Sequence, residues 1–179
     1  MNYFEFYGFS EVFNLDENLV KRKFYELSKI YHPDFYISDT EEKQQEILEL
    51  STVNNKAYQI LSNPTKRMAY ILQLHGHVVE GEKYQLPQEF LMEMMEVNEA
   101  LMELEFEPDQ KVLDETTEKV HNTETTLASQ LSDLFMAFDQ AGKEQKENLL
   151  LKIKDIYYRQ KYLLRIRESL NKFVLKGLQ

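Results

Sequence analysis

The sequence predicts an all-α protein, and three observations carry that expectation. Gly and Pro number only 5 and 4 in 179 residues, so little punctuates the chain, while the good helix formers Leu, Glu, Lys and Gln are abundant. Apolar residues recur at spacings of three and four in the first half and of seven in the second, the periods of packed helices. No run of alternating β-branched residues is long enough for a strand. The expected organisation is a set of short helices over residues 1–75, a linker over 76–86, and an antiparallel three-helix bundle over 87–179.

Residues 2–8 form a first brief turn or helix. "LDENLVKRKFYELSKIYHP" then places Val20, Phe24, Leu27 and Tyr31 at spacings of four, three and four, one apolar stripe on a helix. Asp16 is its expected N-cap. Pro33 should stop it, because the residue before a proline is pushed out of the α region. A polar loop, "YISDTEEK", follows. Ser38 with Glu41, or Asp39 with Glu42, could box the start of the next helix, whose expected buried face is Ile47, Leu50, Ala57, Tyr58 and Leu61. "SNP" ends that helix, and "TKRMAYILQLHG" gives a last short one that ends at Gly76. The linker, "GHVVEGEKYQL", holds two of the five glycines.

The bundle helices are expected over about 87–105, 108–140 and 143–176. Phe90, Met94, Val97, Leu101 and Leu104 give the first its seam. Leu113, Val120, Leu127 and Leu134, with Leu131 and Phe138 as a partner track, give the second. Leu149, Ile156, Leu163 and Leu170 give the third. Such recurrence with short turns means antiparallel neighbours. The first segment carries six Glu and no Lys or Arg, and the third ten Lys or Arg against four acids. Opposite signs of this kind favour adjacency modestly.

Composition excludes several function classes. The net charge is −10, the wrong sign for a general nucleic-acid or anionic-membrane binder. There is no cysteine, so disulfides, thiolate metal sites and cysteine nucleophiles are absent. No apolar run approaches the about 20 residues that span a bilayer, and "MNYFEFYGFSEVF" has neither a secretory nor a transit pattern. The expectation is a soluble cytoplasmic protein.

The stretch "YHPDF" at 31–35 is the first candidate site. At 100° per residue the stripe of the 17–32 helix faces inward, and Lys21, Arg22, Tyr25 and Lys29 fall outside, leading towards His32. A basic strip thus ends in a His-Pro-Asp corner. His32 and Asp34 straddle a rigid proline with no third group, nucleophile or phosphate loop beside them, which fits acid–base catalysis poorly. His75, His77 and His121 lack further ligands at metal-binding spacing, so no metal or other cofactor is expected. A solvated helix face with a plain helix stop remains the bland alternative.

"KRKFYELSKIYHPDF", followed by a loop, a helix and "NKAYQILSNPTKRMAY", resembles the J-domain of DnaJ-type co-chaperones over roughly residues 1–75. "YFEFYGF", "ILQLHG" and "FLMEMMEVNEAL" are similar to one branch, the HscB family of iron–sulfur cluster assembly, and extend the resemblance over nearly the whole chain. The resemblance implies a J-domain and a bundle joined as an L. It implies docking on a DnaK-type chaperone, HscA in this branch, whose ATP hydrolysis His32, Pro33 and Asp34 would trigger. Lys21, Arg22, Tyr25 and Lys29 would form the docking face, and complementary charge there would raise the on-rate. The chain itself would hydrolyse nothing and, lacking thiolates, hold no cluster.

The first bundle helix offers a second candidate surface. Leu91, Met92, Met95 and Met102 are apolar but lie off the seam, with Glu96, Glu99 and Glu103 beside them. A three-helix bundle could use so wide an apolar face. Alternatively it is an exposed, adaptable methionine surface with an acidic rim. The resemblance implies that this helix binds the scaffold IscU through Leu91, Met92, Met95, Glu96, Glu99 and Glu103, with Met95 where leucine is usual and Tyr162 as an aromatic contact. The rivals are a J-protein for a different client and a structural helical-bundle protein.

Overall fold

A computed structural model describes residues 1–79 and 81–176. Residue 80, within the expected linker, and 177–179, at the end of the expected bundle, lie outside the described residues. Seven α-helices and one 3₁₀ turn are described. The chain divides into two compact units: residues 1–78 with 138–141, and residues 79–137 with 142–179.

The first unit opens with α1 (Tyr3–Tyr7), closed at its N-terminus by a reciprocal Asn2–Glu5 capping box and at its C-terminus by Gly8, whose φ of 69° suits a residue without a Cβ. In α2 (Glu17–Ile30) the Asp16 carboxylate caps Asn18 N–H at 2.8 Å. Val20 and Leu27 are buried, while Phe24 and Tyr31 are half-buried. Removing a Val or Leu side chain fully from water is worth about 1.5–3 kcal/mol, so this stripe fixes which face α2 turns outward. The helix stops two residues before His32, and His32 itself is extended (φ −76°, ψ 120°), as the following proline requires.

Between the helix stop and the expected loop the chain makes a 3₁₀ turn, Pro33–Tyr36, which takes in Tyr36, the first residue of that loop. The next helix, α3 (Glu41–Leu61), is capped by Thr40, whose hydroxyl accepts from Lys43 N–H at 3.3 Å. This corrects the expected Ser38 or Asp39 caps. Both expected boxes required a Glu at the third helical position, and the actual cap works without one. Ile47, Ala57 and Leu61 are buried as expected, but Leu50 and Tyr58 are only half-buried. Asn54 takes a core place instead. It accepts from the Tyr7 hydroxyl at 2.9 Å and donates to Phe24 C=O at 3.1 Å and Ser28 Oγ at 3.0 Å. A buried amide so satisfied ties α1, α2 and α3 together in one register. Burial also pushes the Tyr7 phenol well above its usual range.

Asn63 caps α4 (Pro64–Leu74), with Pro64 in the first turn where its missing N–H is harmless. Arg67 is buried on α4. It donates to Phe13 C=O at 2.9 Å and to Leu61 C=O, and burial holds its guanidinium below the ordinary range. Phe13 meets Phe138 edge-on at 4.8 Å, and the Asp139 carboxylate accepts from Phe13 and Asn14 N–H at 2.7 and 2.9 Å.

The second unit is built on α5 (Gln88–Phe106), α6 (Gln110–Gln140) and α7 (Lys143–Lys176). Side-chain pairs set their directions. Glu93 meets Thr123 and Glu96 meets Lys119, so α5 and α6 are antiparallel; Glu124 meets Arg167, so α7 returns alongside. The α5 seam is buried at all five expected positions, as are Leu113, Val120, Leu127 and Leu131 on α6; Phe138, at the end of α6, is buried in the first unit instead. Leu134 is half-buried, and Leu150, Ile153 and Ile166 join Ile156, Leu163 and Leu170 in the core where Leu149 was expected. Part of the expected linker is fastened to α7: Tyr84 stacks on Tyr158 at 4.5 Å and donates to Asp155 at 2.9 Å, and Glu82 accepts from Lys154 at 2.6 Å and Tyr158 at 2.9 Å. Among the described residues no helix is long and apolar enough to cross a membrane.

Candidate functional sites: the His-Pro-Asp corner and the outer face of α5

The α2 register turns Lys21, Arg22, Tyr25 and Lys29 outward, and all four are exposed. The strip ends at His32, Pro33 and Asp34, also exposed. Asp34 N–H donates to His32 Nδ1 at 3.3 Å. That bond needs the lone pair on Nδ1, so the neutral ring carries its proton on Nε2. The Asp34 carboxylate is 3.8 Å from Nδ1. The corner is held by backbone and side-chain bonds around it. Tyr36 Oη donates to Ile30 C=O at 2.8 Å, satisfying one of the orphan carbonyls at the end of α2. Gln44 Nε2 donates to Ile37 and Asp39 C=O at 3.1 and 3.0 Å. Neither Tyr36 nor Gln44 has a sequence signal for this role, since each reaches back to a part of the chain that its own periodicity does not mention. Among the described residues no group of three or more His, Asp or Glu stands ready to hold a metal ion. The arrangement offers a rigid, charged recognition corner.

On α5 the seam and the outer face are sharply divided. Met94 is 0% exposed and its neighbour Met95 62%. Leu91, Met92 and Met102 are exposed as well, so the bundle does not use the wide apolar face. Helical spacing sorts the outer residues into two rows. Leu91, Met95, Asn98 and Met102 form one; Met92, Glu96, Glu99 and Glu103 form the other, and its three carboxylates are exposed. Glu96 also pairs with Lys119 of α6. Tyr162 is half-buried on α7, edge-on to Phe90 at 5.8 Å. Its hydroxyl accepts from Asn98 Nδ2 at 3.0 Å. The structure therefore brings Tyr162 to the edge of the first row. Asn98 was missed by sequence reasoning, although its place three residues after Met95 and seven after Leu91 would have put it in that row.

Known proteins match both parts of the chain. The family model for the DnaJ domain matches residues 2–70, and that for the HSCB C-terminal oligomerisation domain matches 86–171. The co-chaperone protein HscB homolog of Shewanella frigidimarina is 30% identical over 172 residues, 95% of this chain and 99% of that protein. The human iron-sulfur cluster co-chaperone protein HscB is 30% identical over 154 residues, 86% of this chain and 63% of that protein. Among solved structures, HscB from Vibrio cholerae aligns with a TM-score of 0.66 at 26% identity over 100% of both chains. Human HscB aligns at 0.69, again 26% identical, over 99% of this chain and 82% of that one. A J-domain in this setting implies a partner chaperone of the Hsp70 class. On this evidence of sequence and fold together, the chain belongs to the HscB family of J-domain co-chaperones.

Proposed function

We propose that this protein binds the iron–sulfur scaffold IscU on the outer face of α5 and brings it to HscA, a DnaK-type chaperone, whose ATP hydrolysis it stimulates to promote cluster transfer. In this reading residues 1–75 activate the chaperone, 87–179 hold the scaffold, 76–86 link the two, and the work is done in the cytoplasm. Lys21, Arg22, Tyr25 and Lys29 dock on the chaperone, and His32, Pro33 and Asp34 deliver the trigger. Leu91, Met92, Met95, Glu96, Glu99 and Glu103 receive the scaffold, with Tyr162 at their edge. The chain turns over no ATP itself.

One observation carries the reading: α5 is apolar on two faces and folding uses one of them. Methionines exposed in a row, with carboxylates along the next, fit an adaptable interface with a polar rim. The test is the chaperone's steady-state ATPase with and without scaffold. His32→Gln should return the rate to its unstimulated value while leaving scaffold binding and helical content unchanged. Full stimulation by that variant would refute the trigger; absence of any binding to the scaffold by the unmodified chain would assign the bundle to a different client.

A further inference from the structure

The stretch "YISDTEEK" reads as a polar loop, yet it and α3 expose two large aliphatic residues. Ile37 is 72% exposed and Leu48 52%. Single surface aliphatics are ordinary. These two, however, line one cleft of about 370 Å³, together with Pro33, Asp34, Glu41 and Gln44. We propose that this cleft is an apolar anchor site for the chaperone, distinct from the basic face of α2, and that its occupant is an aliphatic side chain flanked by a Lys or Arg. The inference rests on the chaperone reading above and deepens it.

Three features support that occupant. The cleft shares Pro33 and Asp34 with the corner, so a chaperone touching Asp34 is within side-chain reach of Ile37. The walls are fixed in place. Tyr36 is bonded to the end of α2, Gln44 of α3 holds the carbonyls of Ile37 and Asp39, and Asp39 N–H donates to Tyr36 C=O at 3.0 Å. Ile37 is therefore held out in water by its backbone rather than carried on a loose segment, and a pre-ordered site loses less entropy on binding. Finally, the charge changes sign across the corner. Lys21, Arg22 and Lys29 lie on the α2 side, whereas exposed Asp34 and Glu41 border the cleft. An acidic chaperone surface that suits α2 would be repelled here, so the chaperone must present a cation on this side. A partner with one sign throughout would not fit, which makes the cleft a source of register and specificity.

The experiment titrates the full chain against the ATPase of a DnaK-type chaperone. Ile37→Ser and Leu48→Ser should each raise the half-saturating concentration roughly fivefold, the effect of losing an anchor side chain, with maximal stimulation unchanged. Ile37→Leu, which keeps the apolar wall, should titrate as the parent does. His32→Gln separates the two ideas. If it abolishes stimulation while Ile37→Ser and Leu48→Ser titrate normally, the anchor site is refuted and the proposed function stands. If His32→Gln stimulates fully, the chaperone reading fails and the cleft proposal fails with it. A lower maximum at unchanged half-saturation would also overturn the proposal. So would a normal titration accompanied by a shift in sedimentation for Ile37→Ser, because the occupant would then be a second copy of this chain.

Discussion

Met94 and Met95 are adjacent in sequence and differ as much as two methionines can in exposure, 0% against 62%. Truncating each to alanine therefore separates folding from binding. Fully burying a methionine side chain is worth about 1.5–3 kcal/mol. For Met94 that gain is realised on folding, and Met94→Ala also leaves a cavity, so the expected loss of stability is about 2–5 kcal/mol. Met95 retains 62% of its surface for a partner, which scales the same range to about 0.9–1.9 kcal/mol on docking. Alanine keeps a fraction of that contact, leaving a loss of about 0.7–1.5 kcal/mol, or roughly threefold to twelvefold in Kd. Urea denaturation of the full chain and calorimetric titration with the scaffold read the two quantities. Met95→Ala should denature within about 0.5 kcal/mol of the parent while binding more weakly. Destabilisation of Met95→Ala comparable with that of Met94→Ala would show that the outer row is core. An unchanged Kd with unchanged stability would remove Met95 from the docking face.

Arg67→Leu keeps much of the buried stem but strips the donors from Phe13 and Leu61 C=O, two buried acceptors. The expected cost is about 2–5 kcal/mol in urea denaturation, and a loss below about 1 kcal/mol would mean that water reaches both carbonyls. The segment at 82–84 should loosen at both extremes of pH. The Glu82 carboxyl is held below its usual value by the Lys154 hydrogen bond and then by that of Tyr158, so its contribution is present above about pH 4.5 and is lost as pH falls through the lower folded value. Tyr84 and Tyr158 are pushed up to about 12, first by burial and then by their bonds to Asp155 and Glu82. Their contribution is present below about pH 10 and disappears as pH rises towards 12. Glu82→Gln should flatten the acid limb of a melting-temperature profile, and an unaltered limb would refute the assignment.

Sequence periodicity located the elements well because it reports burial. Val20 and Leu27, and all five seam residues of α5, are where a 3.6-residue period places them. It failed where tertiary contacts choose between equivalent local signals. Ser38, Asp39 and Thr40 are all capable caps, and the pull of Gln44 on Ile37 and Asp39 C=O favours the last. Leu149 lies seven residues before Ile156, but a straight helix precesses against a sevenfold repeat. The buried face of α7 turns along its length, and Leu150 and Ile153 enter the core at its start. Asn54 was invisible for another reason: a polar residue in a core has no periodic signature, and its partners, Tyr7, Phe24 and Ser28, come from two other helices. At the candidate sites the exposed residues could be placed from the sequence, whereas the bonds that stiffen the corner could not.

The charges show most clearly which parts of the sequence fold the chain and which face outward. Net charges of −6 for residues 87–105 and +6 for 143–176 suggested that α5 and α7 attract each other. Yet Glu96 of α5 pairs with Lys119 of α6, and three α7 cations pair away from α5, Lys154 with Glu82, Arg159 with Asp155 and Arg167 with Glu124. The α5–α7 contact is instead aromatic and amide in character, with Phe90, Asn98 and Tyr162 meeting and Arg159 lying 5.4 Å over the Phe90 ring. Glu99 and Glu103 therefore keep their charge for whatever approaches from solvent. The same holds on α2, where Lys23 pairs with Glu26 at 3.0 Å while Lys21, Arg22 and Lys29 have no carboxylate partner among the described residues. A chain of net charge −10 thus presents cations at one candidate surface and carboxylates at the other. Under the proposed function that segregation discriminates between partners as well as attracting them. A protein drawn to the α2 strip meets like charge on α5, so exchanging the two sites costs electrostatic energy in both places.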